Sequence, residues 1–141
     1  MSNNISEKLS QVLELETKSK FADVIVLCDE IVVLCEKEND FTNLIDALCS
    51  KSDALVKLGK TKEAIICAED CLAKSKKSIG KICFETAKSY NTIADIHFTT
   101  LSIDFALKYF AKSLAIFLQI PNTSIEQIGR SHNNLGICFF R

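Results

Sequence analysis

Cysteine is the residue type with the most evident chemistry in this chain. Seven cysteines occur in 141 residues, and since no signal-peptide-like segment precedes them we expect free thiols in a reducing compartment. Cys28 and Cys35 lie seven residues apart, and Cys67 and Cys71 lie four apart, so each pair shares one helix face. No CxxC spacing occurs and histidines are few. We therefore predict small core side chains rather than a metal site.

The other reactive residue types do not form a catalytic constellation. The acidic pairs Asp29–Glu30 and Glu69–Asp70 are adjacent in sequence, and adjacent residues on a helix point in different directions. The glycines match neither the dinucleotide-binding nor the phosphate-binding loop pattern. His97 lies in an apolar series of positions, and His132 lies one turn before Leu135, so both are expected to pack. We predict no enzymatic activity, no metal and no cofactor.

Composition limits the classes of protein and of partner that remain to be considered. Hydrophobic residues make up 48% of the chain and charged residues 25%, with a formal net charge of −1, which is ordinary globular usage for one domain. That charge balance does not favour nucleic acid as a partner. No apolar run approaches the ~20 residues that a membrane-spanning helix needs. We expect a cytoplasmic protein without a membrane segment.

Helical periodicity covers almost the whole sequence. Four glycines and one proline leave little material for β-hairpins. Seven segments show apolar residues at helical spacing, and the links between them are short. Short links make consecutive helices antiparallel neighbours. The sequence therefore predicts an all-α fold of about seven helices.

An internal repeat becomes visible when the sequence is shifted against itself by 42 residues. Small residues then coincide at two positions, in the sets Ser10, Ser52, Ala94, Gly136 and Ala22, Ala64, Ala106. Small residues at a crossing allow two antiparallel helices to approach closely. One helix pair leaves apolar faces bare, so successive pairs must stack. The predicted repeats cover approximately residues 3–42, 43–84 and 85–126, and a lone first helix at 127–141 completes a single domain.

Three segments give this repeat a family resemblance. "NNLGICFF" (133–140), "GKTKEAIICAEDCL" (59–72) and "DFALKYFAKSLAI" (104–116) resemble the two helices of the tetratricopeptide repeat (TPR) family, in the long 42-residue form of kinesin light chains and G-protein signalling modulators. The resemblance implies a right-handed α-solenoid of antiparallel helix pairs. Residues 1–40 match least, because Asp29 and Glu30 stand where later repeats carry packing residues. That helix is either shifted in register or part of an atypical capping repeat.

By resemblance, the chain is an adaptor or scaffold that holds a peptide or helical segment of another protein on its concave face. Asn91 and Asn133 coincide in the repeat, and an asparagine amide can hydrogen-bond both the N–H and the C=O of an extended peptide. The predicted concave-face residues are Lys57, Lys88, Asn91, Asp95, Phe98, Arg130, Asn133 and Ile137.

The end of the sequence suggests a second kind of contact. The sequence ends at Arg141, within a predicted first helix, so Phe139 and Phe140 would present apolar surface to a partner. A fragment of a longer array, self-association into a homo-oligomer and a capping helix are all compatible with this feature. The alternative function is a structural segment of a larger assembly that contacts its neighbours through its open ends.

Overall fold

The protein is helical throughout the part that the structure describes. The computed structural model describes residues 2–121 and 125–139, with side chains for 4–121 and 128–138. Its helices are α1 (Ser2–Thr17), α2 (Phe21–Glu38), α3 (Phe41–Lys57), α4 (Thr61–Ser78), α5 (Phe84–Thr99), α6 (Ile103–Gln119) and α7 (Ile125–Phe139). The predicted all-α class and helix number are confirmed. Within the described residues, no helix combines the length and apolarity needed to cross a membrane.

Consecutive helices pack on one another, as short links require. Packing joins α1 with α2, α2 with α3, α5 with α6 and α6 with α7, and thiol contacts from Cys67 and Cys71 to α3 carbonyls join α3 with α4. The chain divides into two compact units, Met1–Cys71 and Leu72–Arg141. The first contains α1 to α3 and most of α4, and the second contains the end of α4 and α5 to α7.

The turn inside each helix pair has the same backbone geometry. Ser19, Gly59 and Leu101 have φ of 57°, 78° and 64°, which is the left-handed region that ends many helices. The next N–H then bonds a carbonyl five residues back, in the pairs Lys20–Leu15 at 3.0 Å, Lys60–Leu55 at 2.8 Å and Ser102–His97 at 2.8 Å. These turns are 40 and 42 residues apart, so the repeat length is not constant.

Because the repeat length changes, the predicted equivalence of the small residues does not hold for the first helix pair. Val24, Ala64 and Ala106 are the fourth residues of α2, α4 and α6, and each is fully buried. Ala22 is exposed, so its predicted place at a helix crossing is wrong. The link between α2 and α3 (39–40) is three residues shorter than the link 79–83, and α3 is one residue longer than α5. The first repeat is therefore two residues shorter.

The same shift applies to the first helices of the pairs. Val12, Ser52 and Ala94 each lie five residues before the end of their helix, and their side chains are at most 2% exposed. Ser10, the residue predicted for this crossing, is exposed. Valines thus fill the first crossing, where later pairs carry serine or alanine. The small residues predicted for the second and third pairs are buried at equivalent helix positions, and the extension of their 42-residue spacing to the first pair is wrong.

Most cysteines are core side chains, as predicted. Five of the seven are buried: Cys28, Cys35, Cys49, Cys71 and Cys138. Burial raises the pKa of the Cys28 thiol to about 12 and that of Cys35 to about 11, because a thiolate is poorly solvated there. The Cys49 and Cys71 sulfur atoms lie 3.7 Å apart across α3 and α4.

Helices α5 and α6 form the centre of the second unit. Ala87 and Ala94 are fully buried against the aromatic side chains of α6, and the Ser113 hydroxyl donates to the Ala87 carbonyl at 2.9 Å. Small residues of α5 therefore lie where α6 packs against it, as the repeat predicts.

The two histidines differ in environment. The His97 ring stacks on Phe105 and Tyr109 at centroid distances of 5.3 and 5.7 Å, so His97 packs, as the sequence predicts. His132 is exposed on α7, and its predicted packing is wrong. The reason is that Ser131, Leu135 and Cys138 occupy the stripe of α7 that faces the core of the second unit, and His132 lies beside this stripe.

Candidate functional site

Two neighbouring cavities open among α5, α6 and α7. The first, called the Asn91 cavity, encloses about 200 Å³ and is lined by Phe84, Lys88, Asn91, Phe117, Arg130 and Ser131. The second, called the Asp95 cavity, encloses about 150 Å³ and is lined by Asp95, Phe98, Phe110, Asn134 and Ile137. Asn91 and Asp95 are one turn apart on α5, so the two cavities are adjacent along that helix, and together they are called the α5–α7 groove.

The spacing of residues on α5 determines which side chains reach the groove. Lys88, Asn91, Asp95 and Phe98 follow one another at intervals of three, four and three residues, which is one stripe on a helix. The neighbouring stripe, which includes Ala87 and Ala94, is buried against α6. The polar stripe is therefore turned toward α7, whose Arg130, Asn134 and Ile137 have the same type of spacing.

The Asn91 cavity contains an unsatisfied hydrogen-bond acceptor. Asn91 Oδ1 is buried and has no hydrogen-bond partner among the described residues, a condition that costs about 1–3 kcal/mol in a protein interior. The rings of Phe84 and Phe117, with centroids 5.9 Å apart, supply the apolar part of the wall. Lys88 and Arg130 add positive charge. The lining of this cavity is therefore part aromatic and part basic, with a buried acceptor next to it.

The Asp95 cavity contains an acid among apolar side chains. Phe98, Phe110 and Ile137 line most of it, and burial of the carboxyl raises the pKa of Asp95 from 3.8 to about 6. Among the described residues, no basic group lies within salt-bridge distance of the Asp95 carboxyl. The residue as a whole is more than a third exposed, so a ligand has access to this carboxyl from the open side.

The structure brings six of the predicted concave-face residues together. Lys88, Asn91 and Arg130 line the Asn91 cavity, and Asp95, Phe98 and Ile137 line the Asp95 cavity. Two others lie elsewhere: Lys57 is exposed at the end of α3 in the first unit, and Asn133 is exposed on α7. For the predicted self-association site, the side chain of Phe139 and all of Phe140 lie outside the described residues.

The two asparagines that coincide in the sequence differ in environment. The repeat register of 42 holds here, since Ser89 and Ser131 are both buried. Arg130 and Ser131 line the same cavity as Asn91, whereas Asn133 belongs to the last helix that the structure describes and is exposed. The neighbouring residue, Asn134, lines the Asp95 cavity instead. Sequence spacing alone does not reveal which asparagine a following helix covers.

Several aromatic residues that line the groove were not predicted as site residues from the sequence. Phe110 and Phe117 lie on the apolar α6 segment and are only 3% and 5% exposed, so they read as packing residues. They serve both purposes, because each contributes to the core and to a cavity wall. Phe84 gives a weak signal, as an exposed aromatic residue at the start of a helix.

A third cavity lies in the first unit and contains none of the predicted site residues. It encloses about 390 Å³ on α3 and α4, and Lys51, Glu63, Cys67 and Asp70 contribute its polar lining. The Lys51 ammonium is bonded to the Asp29 carboxylate at 2.8 Å. The α5–α7 groove is the better candidate, because the buried polar side-chain atom without a partner among the described residues belongs to Asn91 and not to this broader cavity.

Comparison with solved structures identifies the type of fold. No protein-family model matches the sequence, and neither does any curated protein. Solved structures do match. BtubC from P. vanneervenii superposes with a TM-score of 0.79 at 12% identity, over 92% of this chain and 53% of BtubC. A Podosopora anserina kinesin light chain with nearly identical TPR-like repeats gives 0.80 at 12% identity, over 99% and 67%.

The chain has a TPR-like fold. A second structure, of a substituted form of the P. anserina protein, gives a TM-score of 0.78 at 12% identity, over 96% of this chain and 65% of that one. The predicted resemblance to the TPR repeats of kinesin light chains is therefore confirmed at the level of the fold, as an all-α solenoid. The TPR-like chain spans about half of the length of BtubC. The right-handed superhelix stays a prediction.

Proposed function

We propose that this TPR-like chain is a protein–protein interaction module that binds an extended segment of a partner protein in the α5–α7 groove. The single observation that supports this proposal most is the buried Asn91 Oδ1, which has no partner among the described residues. The residue lines the cavity, and a rotation of its side chain that turned this oxygen toward the cavity would let it accept from a peptide N–H. The TPR-like fold supports the same class of function, since stacked helix pairs create extended binding surfaces.

The dimensions of the groove fit an extended chain. Asn91 and Asp95 are four residues apart, which is about 6 Å along α5. Side chains on one face of an extended peptide repeat every two residues, or about 6.7 Å. A segment lying along α5 would therefore place one residue at the Asn91 cavity and the residue two positions away at the Asp95 cavity.

Selection from a displayed library of linear peptides tests the proposal. We expect enriched peptides that bind the wild-type chain, and Asn91→Ala should weaken them about threefold to tenfold, the value of one hydrogen bond. Asn133→Ala is the matched control, because it removes the same side chain from an exposed position of α7 and should leave affinity unchanged. A library that yields no binder, or binders equally tight to Asn91→Ala, would refute the proposal.

One observation favours the alternative role in a larger assembly. Val26 and Val33 lie two turns apart on α2 and are 60% and 54% exposed, which gives one apolar strip in the first unit. Light scattering of the wild type against Val26→Ser and Phe139→Glu distinguishes the contacts involved. A dimer lost in Phe139→Glu would support the predicted end-to-end homo-oligomer, and one lost in Val26→Ser would support a lateral contact. A wild-type monomer at high concentration would leave no support for self-association.

We further propose that the TPR-like module acts by binding rather than by catalysis. It resides in the cytoplasm, where cysteines that form no disulfide stay reduced. Nucleic acid and membrane are not among the proposed partners.

A further inference from the structure

We propose that the Asp95 cavity receives the side chain of a lysine or arginine from the bound segment. This inference rests on the proposed function and names the chemistry of its partner. An acid, two aromatic rings and an aliphatic side chain meet in this cavity. Those groups match a basic side chain along its length, because its methylene stem packs on apolar surface while its charged end pairs with a carboxylate.

The aromatic walls favour a cation over other occupants. Phe98 and Phe110 line the cavity, and aromatic rings attract an ammonium or guanidinium group placed over their faces. An aliphatic occupant would desolvate the Asp95 carboxyl without pairing it, and an acidic occupant would be repelled. The raised pKa of Asp95 agrees with this view, since burial without a paired cation disfavours the ionised form.

A positional-scanning library of linear peptides, acetylated and amidated at the ends and labelled with fluorescein, tests the inference by fluorescence polarisation. Each pool fixes lysine, arginine, glutamine or glutamate at one position. For the wild type we expect lysine or arginine to be favoured over glutamine about tenfold at one position. Asp95→Asn should abolish this preference. Asp104→Asn, which removes an exposed acid from α6, is the matched control and should retain it.

A charge reversal tests the same cavity in the other direction. In Asp95→Lys the favoured residue at that position should become glutamate. Peptides that bind without any preference for a basic residue, or with a preference that survives Asp95→Asn, would overturn the inference and leave the proposed function standing. Absence of binding in every pool would instead contradict the proposed function itself, so the two failures are distinguishable.

Discussion

Asn91 and Asp95 lie one turn apart on α5, and each lines its own cavity of the α5–α7 groove. Among the described residues, the Asn91 oxygen has no hydrogen-bond partner and the Asp95 carboxyl has no paired cation. Folding thus leaves one buried oxygen without a hydrogen-bond donor and one partly buried carboxyl without a paired cation. Both would be satisfied by an extended segment with a backbone N–H and a basic side chain at matching spacing.

The first prediction concerns the free energy of unfolding in Asn91→Ala. Since Asn91 Oδ1 has no partner in the described structure, removal of the amide should change stability by less than about 0.5 kcal/mol, or increase it. Ser113→Ala is the comparison, because its buried hydroxyl donates to the Ala87 carbonyl, and it should cost about 1 kcal/mol. Urea denaturation measures both. A larger loss in Asn91→Ala than in Ser113→Ala would show that Asn91 has a structural role.

The second prediction is a pH dependence of stability set by Asp95. Its pKa is raised from 3.8 to about 6 by burial, so the folded state holds the proton more tightly than the unfolded state. Stability should therefore fall as the pH rises from about 4 to about 6, and the loss persists above that range. We expect about 1 kcal/mol, because the residue is more than a third exposed and solvent reduces the effect.

The control for this pH effect is Asp95→Asn, which should not show it and should be more stable than the wild type near neutral pH. The groups facing Asp95 do not interfere: α6 presents Phe110 and α7 presents Asn134 and Cys138. The pKa of the Cys138 thiol is itself raised, first by burial and then by the Asp95 charge. Equal slopes of stability against pH in wild type and Asp95→Asn would contradict the prediction.

The third prediction uses the left-handed turn residues. Leu101 has φ of 64° and is 66% exposed, so Leu101→Gly should relieve backbone strain with little loss of burial and raise stability by about 0.5–1 kcal/mol. Leu13 is also 66% exposed but lies within α1, where glycine should cost about 1 kcal/mol. Thermal and urea unfolding of the two variants should therefore shift in opposite directions. Destabilisation of both would argue against the shared turn geometry.

The fourth prediction concerns thiol reactivity. Burial raises the pKa of Cys28 to about 12, so roughly one thiol in ten thousand is ionised near pH 8. Cys83 is half-buried and more accessible. Alkylation of the native protein with iodoacetamide, followed by mass spectrometry, should modify Cys83 well before Cys28. In denaturant all seven cysteines should react at similar rates. Rapid native alkylation of Cys28 would indicate that the α2 core opens easily.

Helical periodicity and the 42-residue repeat were sufficient to predict the fold, because both record packing between neighbouring helices. They failed at Ala22 and Ser10, where a shorter link moves the first pair by two residues and Val24 and Val12 take the buried positions. A change of link length alters the register without changing the composition. Its visible sign in the sequence is that Asp29 and Glu30 fall at packing positions when the spacing of 42 is kept.

The groove was predictable in outline for a similar reason. Lys88, Asn91, Asp95 and Phe98 follow from the spacing of one helix face. The difference between Asn91 and Asn133 does not, because it depends on whether another helix covers the position. The environment of Asp95 also depends on tertiary packing, since Phe110 comes from α6 and Ile137 from α7.

An NMR titration of the 15.7 kDa chain with a selected peptide tests the central claim most directly. The side-chain amide of Asn91 and the backbone amides of residues 88–98 and 130–137 should shift on binding, while the Asn133 side-chain amide should not. We predict saturable shifts that are confined to the α5–α7 groove. Shifts that instead follow α2 and leave Asn91 and Asp95 unchanged would contradict it.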